Sequence, residues 1–244
     1  MTRGRMPKDF WDSISARYDR IMENDSQMKL LHKGILDRLP LSAQTVLDLG
    51  AGTGVLLEKI ARRKGIQRLV WFDPSKKMRI KARQRLNGEK KVEYMIGNAS
   101  RLKFKSGTFD AVVSNFALHH LTHGEKAACA REIWRVLKEN GVFIFGDQHC
   151  RRMGTPDDPV WVGEIFSLLC KKADFYLTYG SLERMLLQVS LMPEFLLAKG
   201  EILATVEYWS GCLKSAGFEG IEIAAVKPVP LYNRIIVAHK RSAP

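Results

Sequence analysis

The stretch Val46-Leu47-Asp48-Leu49-Gly50-Ala51-Gly52-Thr53-Gly54 decides the fold of this chain. Its first half is a short apolar run typical of a buried strand, and the residues from Val55 onward continue as a helix. The three glycines between them lack a Cβ atom, so they allow a tight turn and a close approach of a ligand to the backbone. The segment therefore predicts a strand that turns sharply into a helix whose N-terminus faces a ligand.

An acidic residue, Asp73, ends the next strand-like run about twenty residues after the glycines, where a carboxylate can accept hydrogen bonds from both hydroxyls of a ribose. The glycine spacing is not the Gly-x-Gly-x-x-Gly of dinucleotide binders. Asp48 also lies inside the preceding strand, where its charge would repel a pyrophosphate but tolerate an amino group. These features favour an adenosine-containing cofactor. The alternatives are a tight glycine turn without a ligand, and Asp73 as a helix cap before Pro74 and Ser75.

Strands and helices alternate for about a hundred residues around this motif, which predicts a parallel sheet flanked by helices. Each predicted strand is a short apolar run, and each predicted helix has apolar residues at three- and four-residue spacing. The strand-like runs are 45–49, 69–72, 92–96, 111–114 and 142–145, and the helical runs are 55–64, 75–86 and 126–137. After Asp147 the alternation stops, and it resumes with a helix at 205–215 and strands at 218–223 and 231–238.

The sequence resembles the class I S-adenosylmethionine-dependent methyltransferases, densely over 45–147 and more loosely over 205–239. It is most similar to the small-molecule branch that includes the ubiquinone/menaquinone-type enzymes. The resemblance implies an α/β fold with a Rossmann-like, seven-stranded, mostly parallel sheet, flanking helices and a helical lid insertion, and S-adenosylmethionine as cofactor. The segments that carry it are VLDLGAGTG, the Asp73 of WFDPSKKM, GNASRLKF at 97–104, FDAVVSNFALHHL at 109–121 and LKENGVFIFGD at 137–147.

The same resemblance implies a set of cofactor-binding residues. Asp48 and Gly50 would hold the methionine part of the cofactor, beside Gly52 and Gly54 of the glycine loop, and Asp73 would bind the ribose. The other implied residues are Asn98 and Ala99 at the adenine, Asn115 near the methyl end and Tyr18 as a lid tyrosine. Asn98 departs from the family, which usually has Asp there, but its carbonyl remains an acceptor. For Tyr18, ordinary amphipathic packing is the alternative.

The chain is predicted to form a single methyltransferase domain. The predicted segments are an N-terminal helical lid at 1–40, a cofactor-binding core at 45–147, a helical substrate-lid insertion at 148–203 and the C-terminal end of the sheet at 204–244. The insertion is about 55 residues long, which is too short to form a stable core alone.

The candidate catalytic residues follow the fourth and fifth strands, at the edge where ligands bind in such sheets. They are His119, His120 and Asp147, with packing or loop shaping as the alternative role for each. A general base is needed only if the methyl acceptor is a hydroxyl, a thiol or an acidic carbon. His149 with Cys150 is weak evidence for metal or thiol chemistry, and no metal site is predicted.

The resemblance implies a small-molecule acceptor, which is expected to be aromatic, lipid-like or acidic. Aromatic and apolar residues are frequent in 148–203, where we expect some to line a pocket and most to pack against the sheet. Four basic residues flank this region and are candidates to hold an acidic group, namely Arg151, Arg152, Lys171 and Lys172. The net charge of +13, with 39 basic and 26 acidic residues, also fits an RNA acceptor. The segment SNFA stands where base-directed enzymes have an Asn-Pro-Pro-Tyr-like motif, so RNA is disfavoured. A non-catalytic protein that binds the cofactor is a third possibility.

The remaining composition is that of a cytoplasmic protein. The basic N-terminal residues lead into no apolar stretch, and no run reaches the roughly 18 to 20 apolar residues of a membrane-spanning helix. The four cysteines are scattered, as expected for reduced thiols. The basic run at 76–85 is interpreted as a helix with a solvated face, and the oligomeric state is not predicted.

Overall fold

The computed structural model describes residues 19–22 and 25–241. The helices are α1 (Ser26–Arg38), α2 (Val55–Ala61), α3 (Lys76–Arg85), α4 (His123–Val136), α5 (Pro159–Tyr179), α6 (Leu182–Leu196) and α7 (Val206–Ala216). The strands are β1 (Thr45–Leu49), β2 (Arg68–Asp73), β3 (Val92–Ile96), β4 (Phe109–Asn115), β5 (Leu137–Gln148), β6 (Glu219–Ala225) and β7 (Asn233–His239). Short 3-10 helices follow β4 at Leu118–His120 and precede β7 at Val229–Leu231.

The seven strands form one sheet in the order β3-β2-β1-β4-β5-β7-β6. The neighbouring pairs from β3 to β5 are parallel, and β7 runs antiparallel to both β5 and β6. The predicted Rossmann-like, seven-stranded, mostly parallel sheet is therefore confirmed. Chain order reverses between β1 and β4, and a crevice for a ligand opens at such a point beside the carboxyl ends of the strands.

The central strands are buried on both faces, as expected for parallel strands covered by helices. In β1, Val46 contributes to one apolar cluster and Leu47 and Leu49 to the other, since successive side chains point to opposite faces. Helices α1, α2 and α3 cover the first face, and α4 and α7 cover the second. This packing fixes the loop after β1 against the loops after β2 and β4.

Two helices, α5 and α6, occupy most of the segment 148–203 and pack against each other. Their shared apolar cluster includes Trp161, Leu169, Leu187 and Phe195. The role of this segment as a substrate lid remains a prediction. In the part of the chain that the structure describes, no helix has the length and apolar character needed to cross a membrane.

Several predicted boundaries differ from those of the structure. β5 begins at Leu137, not at 142, because Leu137 already pairs with Phe109 before an irregularity in the register. α4 consequently ends at Val136. It begins at His123, because Thr122 and Glu125 form a capping box there. At the C-terminus, β7 begins at Asn233, since the preceding residues form a 3-10 turn.

Candidate active site

A cavity of about 1220 Å³ lies at the carboxyl ends of the central strands. It brings together most of the predicted cofactor residues, namely Asp48, Gly50, Gly52, Asp73, Asn98, Ala99 and Asn115. The loops 154–157 and 197–202 of the helical segment form another part of the wall, together with His120. Gly54, His119 and Asp147 do not line this cavity, and Tyr18 lies outside the described residues.

The glycines of the loop after β1 all have left-handed φ angles, which L side chains rarely adopt. A Cβ atom on Gly50 would lie 2.2 Å from the Cβ of Ala117, so this position requires glycine for packing. A Cβ on Gly52 would meet nothing within 4 Å and would project into open space. A Cβ on Gly54 would lie 3.2 Å from Cδ1 of Leu86, so Gly54 serves the contact between α2 and α3.

Asp73 ties the end of β2 to the glycine loop. Its Oδ2 accepts a hydrogen bond from the backbone N–H of Gly52 at 3.0 Å, and its Oδ1 accepts one from the N–H of Ser75 at 2.8 Å. The N-cap of α3 is Ser75, whose Oγ accepts from the N–H of Met78. The interpretation of Asp73 as the helix cap is therefore wrong, and its carboxylate belongs to the cavity wall.

Asp48 is almost completely buried, and its Oδ2 accepts no hydrogen bond within the described residues. Burial, with a smaller contribution from the charge of Asp73, raises the pKa of Asp48 to about 8. A buried carboxyl oxygen without a partner is costly unless a ligand supplies the missing donor. The side chain is therefore suited to a cationic group bound in the cavity.

Asn98 is engaged within its own loop. Its Oδ1 accepts hydrogen bonds from the backbone N–H and the hydroxyl of Ser100 at 2.9 and 3.0 Å, and its Nδ2 donates to Glu125 at 3.4 Å. A carbonyl oxygen has two lone pairs, and Ser100 uses both. Asn98 thus shapes the loop beside Ala99, and Glu125 is a further acceptor on the same wall that sequence reasoning missed.

Asn115 contacts His32, a residue of α1 that the sequence did not single out. The Nδ2 position of Asn115 lies 3.1 Å from Nε2 of His32, and Nζ of Lys59 lies 3.2 Å from its Nδ1. Lysine can only donate, so neutral His32 carries its proton on Nε2 and needs an acceptor there. A turned Asn115 amide, with Oδ1 toward His32, supplies that acceptor. Burial, and then the charge of Lys59, lowers the pKa of His32 to about 3.

His119 is buried behind the cavity wall between two carboxylates. Its Nδ1 lies 2.6 Å from Oδ1 of Asp147, its backbone N–H donates to Oδ2 of Asp147 at 3.0 Å, and its Nε2 lies 3.1 Å from Oε2 of Glu201. Burial alone disfavours the charged ring, but the charges of Asp147 and Glu201 raise the pKa of His119 to about 9. The two carboxylates therefore favour a cation at this position.

His120 is the histidine of this pair that lines the cavity. Its Nδ1 donates to the carbonyl oxygen of Gly200 at 2.8 Å and lies 3.6 Å from Oε1 of Glu201. Burial, and then the charge of His119, lowers the pKa of His120. Of the three predicted catalytic residues, His120 alone is placed to contact a ligand in the cavity.

The buried amine of Lys126 links the loop after β4, which carries His119 and His120, to the segment after α6. It donates to the carbonyl oxygens of Leu121 and of Ile202, the latter at 2.8 Å, and lies 3.4 Å from that of His119. Burial lowers the pKa of Lys126 to about 8. The backbone N–H of Ile202 also donates to the carbonyl oxygen of His119. These contacts hold Glu201 against both histidines.

Two of the basic residues expected to hold an acidic group of the acceptor, Arg152 and Lys172, have other partners in the structure. Lys172 is buried, donates to Oε1 of Gln148 at 2.5 Å and does not line the large cavity, so it is not placed to hold an acidic group of an acceptor bound there. Arg152 pairs with Asp158. The aromatic residues of the helical segment that are buried pack in its own core and do not line the large cavity.

The pair His149 and Cys150 does not form a reactive site. Burial raises the pKa of the Cys150 thiol to about 12, which keeps it protonated and unreactive. His149 is also buried, and its Nδ1 donates to the carbonyl oxygen of Ala204 at 3.2 Å.

A family model described as a methyltransferase domain matches residues 47–145. The ubiquinone/menaquinone biosynthesis C-methyltransferase UbiE of Hydrogenovibrio crunogenus is 35% identical over 142 residues. Over this segment the chain is similar to the class I S-adenosylmethionine-dependent methyltransferases. The match with UbiE covers 55% of each chain, so this chain spans about half the length of the first curated relatives that it matches.

Solved structures support the fold of this chain. A putative methyltransferase of Haloferax volcanii, solved in complex with the Trm112 methyltransferase activator, superposes with a TM-score of 0.69 at 18% identity, over 97% of this chain and 98% of that chain. Phosphoethanolamine N-methyltransferase 2 of Haemonchus contortus, solved in complex with S-adenosyl-L-methionine, gives 0.67 at 18% identity, over 96% and 58%. At these identities the likeness shows the fold alone.

The cavity fits S-adenosylmethionine, the cofactor that the similarity to methyltransferases implies. The unpartnered Oδ2 of Asp48 matches the cofactor's amino group, and the open space beyond the Cα of Gly52 gives room for a ligand against the backbone. The carboxylate of Asp73 stands at the end of β2, where a ribose can approach it.

Proposed function

We propose that this chain transfers the methyl group of S-adenosylmethionine to a small-molecule acceptor bound in the same cavity. The observation that carries the proposal is the size and continuity of the cavity, about 1220 Å³. Sites for a single ligand have about 300–1,000 Å³, so there is room for a cofactor and an acceptor together. The cofactor residues and the wall formed by His120 and 197–202 lie in one space.

Each end of the cofactor has its own candidate residues. Asp48 and the backbone of Gly50 hold the methionine part, and Asp73 holds the ribose. The adenine lies between Ala99 and the loop that Asn98 shapes. Gly52 leaves the backbone accessible, and Gly54 supports the loop by packing. Asn115 lies beside the methyl end, and Tyr18 remains the proposed lid residue.

S-adenosylmethionine, when bound, supplies a methyl group on a positively charged sulfur, whose departure needs no proton. The protein contributes by aligning the acceptor with that group and by excluding water. Alignment falls to the rigid wall made by the loop after β4 and the segment 197–202, which Lys126 holds together. His120 is an ionisable side chain of this wall, and His119 and Asp147 support it from behind.

A small-molecule acceptor is supported by the character of the remaining wall. Apolar side chains and histidines form part of it, namely Met28, His32, Phe116, His120, His123, Leu197 and Ile202. The UbiE relatives act in quinone biosynthesis, as their name states, and support an acceptor of the same general size. The net charge of +13 favours RNA as the second candidate acceptor.

Transfer of labelled methyl from S-adenosylmethionine into a host-cell extract tests this proposal, with Asp73→Ala as the control. The extract is separated afterwards into RNA, protein, lipid and small-molecule fractions. We expect Asp73-dependent label in the lipid or small-molecule fraction. Label in RNA would select the second candidate, and no label from protein shown to bind the cofactor would contradict methyl transfer.

A further inference from the structure

His119, His120 and Glu201 form a compact cluster of potential metal ligands. Each residue offers one ring nitrogen or carboxylate oxygen, and these atoms all lie within 4.8 Å of one another. The Nε2 of His119 and the Oε2 of Glu201 are 3.1 Å apart, and the ring centroids of His119 and His120 lie 4.0 Å apart. His119 and Glu201 are buried and His120 is partly buried, so the cluster is not an exposed collection of charges.

The contact between His119 and Glu201 is not an aligned hydrogen bond. The Oε2 of Glu201 is buried and accepts no hydrogen bond within the described residues, although Nε2 of His119 lies near it. A buried imidazole nitrogen and a carboxylate oxygen at this distance can share either a proton or a metal ion. In a tetrahedral zinc site, bonds of 2.0–2.2 Å place neighbouring nitrogen and oxygen ligands about 3.3–3.6 Å apart. A widening of a few tenths of an ångström would thus admit an ion.

The surroundings of His119 are also those of a metal ligand. Asp147 accepts from its Nδ1 at 2.6 Å, so Nε2, which faces Glu201, is the nitrogen that can bind an ion in place of a proton. Metal-bound histidines almost always donate their other ring N–H to a carboxylate, a carbonyl or water. Asp147 is held in turn by the backbone N–H groups of His119 and Gln148.

We propose that His119, His120 and Glu201 bind a divalent transition-metal ion of the Zn²⁺ type. Two imidazoles and one carboxylate are the donor set of many catalytic zinc sites, which keep a fourth position open. The ion's charge balances the two carboxylates of Glu201 and Asp147. It replaces the proton that His119 would otherwise share with Glu201, so binding releases that proton to solvent.

The proposed metal site adjoins the part of the cavity assigned to the acceptor, so its role in catalysis rests on the proposed function. His120 of the cluster lines the large cavity, as do the neighbouring residues Gly200 and Ile202. An ion there would coordinate a hydroxyl or thiol of the acceptor and favour loss of its proton to solvent. The new bond joins that oxygen or sulfur to the methyl carbon, and the bond from carbon to the positively charged sulfur breaks. The acceptor class is therefore one that carries a hydroxyl or a thiol.

The test is titration of the untagged, chelator-treated full chain with Co²⁺, without S-adenosylmethionine. Tetrahedral Co²⁺ reports binding through its visible absorption, and excess Zn²⁺ should abolish that absorption. We expect one Co²⁺ per chain and at least about tenfold weaker binding for Glu201→Gln and for His120→Asn. His123→Asn is the matched control, because His123 lines the same cavity outside the cluster, and should bind like the wild type.

Two results would overturn the proposal. One is the lack of a stoichiometric cobalt signal from the wild type, and the other is equal affinity in the wild type and His120→Asn. Thermal unfolding of each variant shows whether it folds, and if Glu201→Gln does not, His120→Asn decides because its side chain is partly exposed. Calorimetric binding of S-adenosylmethionine is measured separately, so failure of the metal site and failure of the proposed function are distinguishable.

Discussion

The carboxylate of Asp73 accepts a hydrogen bond from the backbone N–H of Gly52 at 3.0 Å, and so fixes the end of β2 against the loop after β1. The acidic residue and the glycine loop thus form one unit.

The first prediction is that Asp73→Ala weakens binding of S-adenosylmethionine by at least about tenfold and leaves the fold intact. Hydrogen bonds to a charged group contribute about 1.5–3 kcal/mol, and 1.4 kcal/mol corresponds to a factor of ten. Calorimetric titration measures the affinity, and circular dichroism checks the fold. Unchanged affinity would remove Asp73 from the site.

The second prediction is that Gly52→Leu abolishes cofactor binding by filling the space that the ligand needs. Gly107→Leu is the matched control, since Gly107 also has a left-handed φ angle and an open Cβ position but lies away from the cavity. It carries the same backbone strain without the occlusion. Normal binding by a folded Gly52→Leu variant would contradict the proposed arrangement.

The third prediction concerns Asp48, whose pKa is raised to about 8 by burial and by Asp73. At pH 7 the carboxyl is mostly protonated, and the cofactor's cationic amino group would lower its pKa, so binding should release a proton. Affinity should consequently rise as the pH increases toward 8. Calorimetry in buffers of different ionisation enthalpy measures the released proton. Release that persists in Asp48→Asn would assign it to another group.

The fourth prediction concerns the contribution of Asp110, at the start of β4, to the stability of the folded protein. Burial would raise its pKa, but hydrogen bonds from Lys138, Thr45 and Gln44 lower it to about 2. Because the pKa in the folded state lies below the unfolded value, the stabilisation is present above about pH 4 and is lost as the pH falls through 2. The melting temperature of Asp110→Asn should lie below that of the wild type at pH 7, and the gap should narrow at low pH. A difference in melting temperature that does not change with pH would show that the ionised carboxylate of Asp110 is not the source of the stabilisation.

The features of the fold and site that the sequence predicts correctly follow mostly from local motifs. The glycine loop and Asp73 lie at the ends of consecutive strands, so their meeting follows from the parallel sheet itself. The mostly parallel sheet follows in the same way from alternating strands and helices. By contrast, β5 extends back to Leu137 because of pairing with β4, which no periodicity reveals.

The residues that sequence reasoning missed come to the site through tertiary packing. His32 occupies the buried stripe of α1, and only its polarity among Leu31 and Ile35 marks it. Glu201 follows a helix that returns to the loop after β4, so its contact with His119 depends on how α5 and α6 pack. Neither position has a local pattern that predicts its partner.

The central claim is that the cavity beside β1, β2 and β4 binds S-adenosylmethionine, and hydrogen exchange of the full chain with and without saturating cofactor tests it most directly. The proposed site predicts slower backbone exchange in segments 50–54, 72–76 and 97–100 when the cofactor is bound. Unchanged exchange in those three segments, with saturated binding and protection elsewhere, would contradict it.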